Sequence, residues 1–250
     1  MRRAALWAWT AALGCGTTAA APGPVPVAPP IAPPTEAPAP SEAAHPHGTP
    51  GANDDATETH RFDDAARWSK VFDDPARDAW QSPELVVSLM ALKPGQTVAD
   101  IGAGTGYFNA HLARAVGPTG KVLAVDLEPN LIAHMTERAR REKTPQVAAR
   151  LATADDPALQ AAEVDAVLLV DTYHHLNDRV AYFRRLRDAV KPGGTLTVVD
   201  FKPGADPAVG PPESHRIPIS QVEAELSAAG WRPMSAGDML PYQYVLTFGR

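Results

Sequence analysis

From Ser82 onward, short apolar runs alternate with longer stretches whose apolar residues recur at helical spacing. Thr97–Asp100, Val122–Val125, Val147–Ala152 and Thr195–Val199 read as strands. Val164–Val170 is apolar almost throughout, the pattern of a parallel strand buried on both faces. Between these runs, Tyr107–Val116, Pro129–Arg141 and Asp178–Val190 read as helices; in the first, Phe108, Leu112, Ala115 and Val116 fall near one face. Ser220-Gln221-Val222-Glu223 has the form of a capping box, opening a helix that Gly230 stops after Ala229. Trp231–Ala236 and Tyr242–Phe248 then read as a closing antiparallel hairpin. Strand–helix alternation of this kind predicts an α/β domain, a doubly wound sheet of seven strands, mostly parallel, with an antiparallel C-terminal pair.

The first third of the chain has a different texture. Met1-Arg2-Arg3 is a positive start, and Ala4–Leu13 is an apolar run too short to span a bilayer. Ala12-Leu13-Gly14-Cys15 follows and resembles a bacterial lipobox, which implies an exported protein anchored in a membrane by lipid on Cys15. The alternatives are a plain secretory signal with an incidental cysteine, and an uncleaved segment on a cytoplasmic protein. Residues 16–60 are rich in Pro and Ala, with Pro22, Pro24, Pro26, Pro29 and Pro30 among them, and read as a semi-rigid polyproline II tether. His45, His47 and His60 read as solvent histidines and not as a metal site. The expected organisation is a signal peptide over 1–15, a tether over 16–60 and one folded domain over 61–250. Asp63–Trp80 is acidic and aromatic and reads as one or two short helices. Ser82-Pro83-Glu84 then opens a helix with an N-cap, a first-position proline and an acid in the first turn.

Charge and cysteine content remove several functions. With 23 basic and 29 acidic residues the net charge is -6, and no basic block offers a nucleic-acid footprint. Cys15 is the single cysteine, so the chain has no intrachain disulfide, no cysteine zinc site and no thiol in its folded part. No motif calls for a metal, and none bears on oligomeric state.

The strongest candidate chemistry lies where the first strand meets its helix. Gly102-Ala103-Gly104-Thr105-Gly106 lets the backbone turn sharply and approach a ligand, and the helix start offers unpaired N–H groups. The next strand ends in Asp126, a carboxylate placed to take two ribose hydroxyls. Tyr107 stands where the dinucleotide fingerprint has its last glycine, which argues against NAD.

The stretch Thr97–Phe108 resembles motif I of the class I S-adenosylmethionine (SAM) dependent methyltransferases, and the resemblance extends from about Trp80 to Phe248. It implies a SAM-type Rossmann-like sheet, SAM as cofactor and a small-molecule acceptor. It implies cofactor contacts from Asp100, Gly102, Ala103, Gly104, Gly106, Asp126 and its neighbour Leu127, from Asp155 toward the adenine, and from Asp171. Leu186–Asp200, with Lys191-Pro192-Gly193-Gly194 as a turn, matches the region after the family's motif III. Nucleic-acid and protein-amide methyltransferases carry Asp/Asn-Pro-Pro-aromatic after the central strand, where this chain has Asp171-Thr172-Tyr173-His174-His175. His174 and His175 are the candidate catalytic residues, one facing the substrate as a base and the other bracing the loop, with His174 the first choice. The bland alternative has both bonded to backbone. The long connection 203–219 reads as a lid from which His215 and Arg216 could enter the site, the favoured reading being that both are surface loop residues. Two other functions remain open: a non-catalytic tethered SAM-fold module, and another SAM-fold transferase such as an aminopropyl transferase.

Overall fold

The computed structural model describes residues 65–250. The stretches read as a signal and a tether, with Cys15 and the histidines at 45, 47 and 60, lie outside the described residues. Two short helices, α1 (Ala65–Phe72) and α2 (Arg77–Gln81), precede α3 (Pro83–Leu89). The alternating part follows as β1 (Thr97–Ile101), α4 (Asn109–Val116), β2 (Lys121–Asp126), α5 (Pro129–Glu142) and β3 (Val147–Leu151). It continues as β4 (Val164–Val170), α6 (Arg179–Ala189), β5 (Val190–Phe201), α7 (Ile219–Ala228), β6 (Arg232–Gly237) and β7 (Gln243–Gly249). Among the described residues no helix is long and apolar enough to cross a membrane.

The seven strands form one sheet in the order β3-β2-β1-β4-β5-β7-β6. β1 to β5 run parallel, and β7 pairs antiparallel with β5 and β6. The fold expected from the apolar pattern is therefore the fold observed. β4 is central and apolar because both of its faces are covered. On one face α6 and α7 bury Phe183, Leu186, Val222 and Leu226 with Tyr173 and Trp231. On the other, α3 and α4 bury Val86, Phe108, Leu112 and Val116, and Met135 of α5 covers Ala103 and Ala124. Each fully buried aliphatic side chain contributes roughly 1.5–3 kcal/mol, so this double layer sets the rigidity of the sheet edge that carries the site.

Local expectations fail where a residue serves two elements. Ser82 makes no side-chain cap for α3, because it also ends α2: its N–H donates to the Asp78 carbonyl at 3.1 Å, and its φ is +45°. Ser220 does not cap α7, which starts a residue earlier with Pro218 as N-cap, the Pro218 carbonyl accepting from Gln221 N (2.9 Å). Lys191–Gly194 is not a turn before a strand but a bulge inside β5. Val190 pairs with Val164 and Thr195 with Ala166, leaving four residues opposite Asp165 alone. Asp165 pins the bulge, accepting from Lys191 Nζ (2.9 Å) and from Thr97 N (2.8 Å). A Cβ at Gly194 would lie 2.5 Å from the Asp165 carbonyl, which is why a glycine stands there.

Candidate functional site

The C-terminal ends of β1, β2, β4 and β5 meet at one edge, where open parallel sheets take ligands. β1 leads into the glycine loop. Gly102 and Ala103 both donate to the Val125 carbonyl (2.9 and 3.0 Å), folding the loop back over β2. Gly102 has φ +70°, and a Cβ there would lie 2.3 Å from Thr172 Oγ1, so only glycine lets the β1 and β4 turns approach. Gly104 N donates to Asp126 Oδ2 at 2.8 Å, while Asp126 Oδ1 accepts from Glu128 N at 3.1 Å. The carboxylate thus joins the loop to the end of β2. Burial raises the Asp126 pKa, and the backbone N–H groups pull against that rise. Asp100 is also buried, and burial followed by the Asp126 charge pushes its carboxyl up to about 7. α4 begins at Asn109 and not at Tyr107, because residues 104–108 are spent on turns, Gly106 N to Ala103 O (2.8 Å) and Asn109 N to Gly106 O (3.0 Å).

Leu127 is exposed beyond Asp126. Asp155 is exposed past the end of β3, and Arg185 donates to its backbone carbonyl. Asp156 forms a turn, its Oδ1 accepting from Ala158 N at 2.8 Å.

The α1–α2 segment lies directly on the glycine loop. The Phe72 ring stands 3.6 Å from where a Gly104 Cβ would be. Asp73 accepts from Thr105 Oγ1 (2.9 Å) and from Arg138 Nη1 (2.8 Å). Tyr107 donates its hydroxyl proton to Asp78. Arg77 reaches furthest, donating to Asp171 Oδ2 at 3.1 Å with its guanidinium 4.4 Å from the Tyr107 ring centre. Gln243 of β7 holds the other Asp171 oxygen and accepts from Gln81 Nε2 at 2.7 Å. Trp80 packs 6.0 Å from the Phe201 ring and 6.1 Å from that of Tyr242. None of Asp73, Arg77, Asp78, Gln81 or Gln243 is marked by a motif. The visible signal was the acidic, aromatic composition of the segment, with nothing to say what it would touch.

On the other side of β4 the chain enters a 3₁₀ turn, Tyr173–His175. Asp171 takes φ +54° to begin it, a left-handed conformation that Asp tolerates better than most residues. Burial pushes its carboxyl up to about 7 against the pull of Arg77. His174 and Asp200, brought together from β4 and β5, are both buried. His174 Nδ1 lies 2.9 and 3.0 Å from the two Asp200 oxygens, and His174 N donates to Oδ2 at 3.2 Å. Burial disfavours the charged ring, but the Asp200 carboxylate outweighs it and holds the His174 pKa above the ordinary 6.5. With Nδ1 turned to Asp200, Nε2 is the nitrogen left for a substrate proton. The His175 ring is 4.1 Å from that of His174. Tyr173 anchors the turn from below, its hydroxyl donating to Glu225 Oε2 (2.5 Å), which also accepts from Arg179 Nε (2.6 Å).

Arg216, read from sequence as a surface residue, is buried. Its guanidinium donates to the carbonyls of Pro211 (3.0 Å), Ala205 (2.8 Å), Val209 (2.8 Å) and Asp206 (3.1 Å), and so closes the 202–217 connection on itself.

Known proteins resemble this chain in sequence and in fold. Residues 98–194 match the methyltransferase domain family. The matched stretch runs from β1 through the glycine loop, Asp126 and His174 into the β5 bulge. Over 119 residues the chain is 29% identical to a 2-phytyl-1,4-naphtoquinone methyltransferase of Trichormus variabilis, 47% of this chain and 52% of that one. It is 31% identical over 115 residues to phosphoethanolamine N-methyltransferase 3 of Arabidopsis thaliana, 46% of this chain and 23% of that one. The chain therefore spans about half or less of the curated relatives it matches first. A solved SAM dependent methyltransferase from Aquifex aeolicus superimposes with a TM-score of 0.70 at 26% identity, covering 74% of this chain and 98% of that one. The methyltransferase-like domain has the fold of that protein.

Proposed function

We propose that the domain transfers a methyl group from SAM to a small-molecule acceptor. The observation that carries this reading is the closed unit of glycine loop and Asp126, held by the 2.8 Å bond from Gly104 N, inside the stretch that matches methyltransferase domains. The residues fit SAM. A Cβ at Gly104 would meet nothing but the Phe72 ring of α1, so this wall of the loop is bare backbone under a separable cover. Asp126 accepts from Gly104 N and Glu128 N, and a carboxylate has further lone-pair sites for a ribose diol. The relatives are named for quinone and phosphoethanolamine acceptors, which supports a small molecule.

SAM, once bound, supplies a methyl group already activated on a sulfonium, so the protein's task is alignment and exclusion of water. Gly102–Gly106 and Asp126 bind and orient the cofactor, with Leu127 against its base. The α1–α2 segment covers it. His174, its Nδ1 fixed by Asp200, takes a proton through Nε2, which suits a hydroxyl or acidic-carbon acceptor. Calorimetric titration of the full chain with SAM and S-adenosylhomocysteine tests the reading. Micromolar or tighter binding of both is expected; no binding of either rejects it. Binding without turnover on any acceptor would favour the non-catalytic module.

The lipobox-like Cys15 supports export and a lipid anchor as part of the same proposal. Expressed in a bacterium, the full chain should fractionate with membranes and Cys15→Ala should not. Equal partitioning of the two rejects the anchor.

A further inference from the structure

Arg77 sits where no motif placed it. Its side chain is 12% exposed, wedged between Tyr107 at the end of the first βα turn and Asp171 just after β4. Its remaining donors go to the Phe72 carbonyl (3.0 Å) and to Gln81 Oε1 (Nη2, 3.0 Å), both on its own segment. Its charge also acts on Asp100, lowering a pKa that burial raises. One guanidinium and two carboxylates therefore share the floor of the edge beside the glycine loop.

This is the complement of an α-amino acid. Opening a poorly hydrated ion pair leaves two uncompensated charges unless something supplies both opposites. A zwitterion does so, with its carboxylate to the guanidinium and its ammonium to the carboxylate. The local geometry allows the exchange. Gln243 holds Asp171 Oδ1 from β7, so the carboxylate keeps its place when Arg77 leaves it. Gln81 keeps a hold on the guanidinium, which retains its planar fork for a carboxylate.

We propose that the Arg77–Asp171 pair is the receptor for the amino-acid end of the cofactor, Arg77 binding its carboxylate and Asp171 its ammonium. This rests on SAM being the cofactor. It makes Arg77 a specificity residue, one that selects SAM over the same sulfonium without its carboxylate. Decarboxylated SAM is the donor an aminopropyl transferase would use, so the pair also bears on which transfer the domain performs.

The test is binding of SAM and of decarboxylated SAM to the full chain and to Arg77→Gln, read by calorimetry. The wild-type chain should prefer SAM. Arg77→Gln should bind SAM roughly ten- to hundredfold more weakly, the effect of losing a hydrogen bond to a charged group. Its affinity for decarboxylated SAM should stay within about twofold. Equal weakening of both ligands would make Arg77 a structural pin of the cover and overturn the proposal, as would unchanged SAM binding. Circular dichroism checks the fold. If Arg77→Gln does not fold, Arg77→Lys carries the same test: a loss confined to SAM supports the proposal, and a loss shared by both ligands overturns it. A wild-type chain that binds the two ligands equally overturns the Arg77 assignment while leaving the cofactor in place. A chain that binds neither rejects the cofactor reading, and this inference with it.

Discussion

The two halves of the ligand edge are built differently. On the β1–β2 side, Asp126 is held by backbone N–H groups, and the cover of α1 and α2 is attached through side chains from separate elements, Asp73 to Arg138 and, reaching across to the end of β4, Arg77 to Asp171. On the β4–β5 side, His174 and Asp200 are locked together in the interior, and the loop beyond them is closed by Arg216 onto its own carbonyls. The α1–α2 cover can lift without stranding a backbone group of the sheet. The 202–217 connection cannot unravel without leaving several carbonyls and a buried guanidinium unpaired. The first half suits entry and exchange of a ligand, the second the holding of one geometry.

The largest expected effect lies in the rigid half. His174→Gln should keep SAM binding and lose roughly 10²–10⁴ in turnover. The difference collapses if that variant turns over like the wild type once an acceptor is in hand. The pH profile sharpens the point. A base must be neutral to accept a proton, so activity should fall as pH drops through a pKa above 6.5. Asp200→Asn should move that acidic limb to lower pH, because the carboxylate raises the His174 pKa. By the same shift the pair adds most to stability below 6.5, and the contribution is lost as pH rises through the raised pKa. Thermal melting of the wild type and Asp200→Asn across that window measures it.

Arg216→Ala should come next, costing about 3 kcal/mol by freeing the Pro211, Ala205 and Val209 carbonyls that the guanidinium holds. Melting should then fall by roughly 6–12 °C. A melting point equal to that of the wild type would mean the connection is as separable as the α1–α2 cover. On the other half, Asp126→Ala should weaken SAM binding about ten- to hundredfold while His174 still titrates normally, as a histidine-resolved NMR titration would show. The smallest effect is expected from Asp73→Asn, which loosens the link to Arg138: about 1 kcal/mol or less in stability, together with faster SAM association in stopped flow. A loss of several kcal/mol there would place the cover among the rigid parts.

The pattern of the chain reached far into this fold. The five inner strands were legible because a strand buried on both faces must be apolar along its length, a requirement that acts residue by residue, whereas β3 and β6 lie at the two edges of the sheet and are partly or largely exposed. The glycine loop and Asp126 were legible for a related reason: glycine takes the positive φ at 102, 104 and 106 without the strain a side chain brings, and the acid ends the very next strand. The caps at Ser82 and Ser220 were misread because a serine's capping role depends on what its own backbone must do for the neighbouring helix.

Side-chain pairs between distant elements have no such local signature. His174 stood out by its place after β4, but its partner Asp200 lies 26 positions on and became its partner only through the β4–β5 pairing. Arg77 and Asp171 are 94 positions apart, and Arg216 looked like a loop cation until the loop folded around it. Hydrophobic spacing decides which face of an element turns inward, and it does so within a few residues. Which charge meets which across the edge is decided by the packing of whole elements, because an ion pair requires a partner within a few ångströms and not a position in the chain.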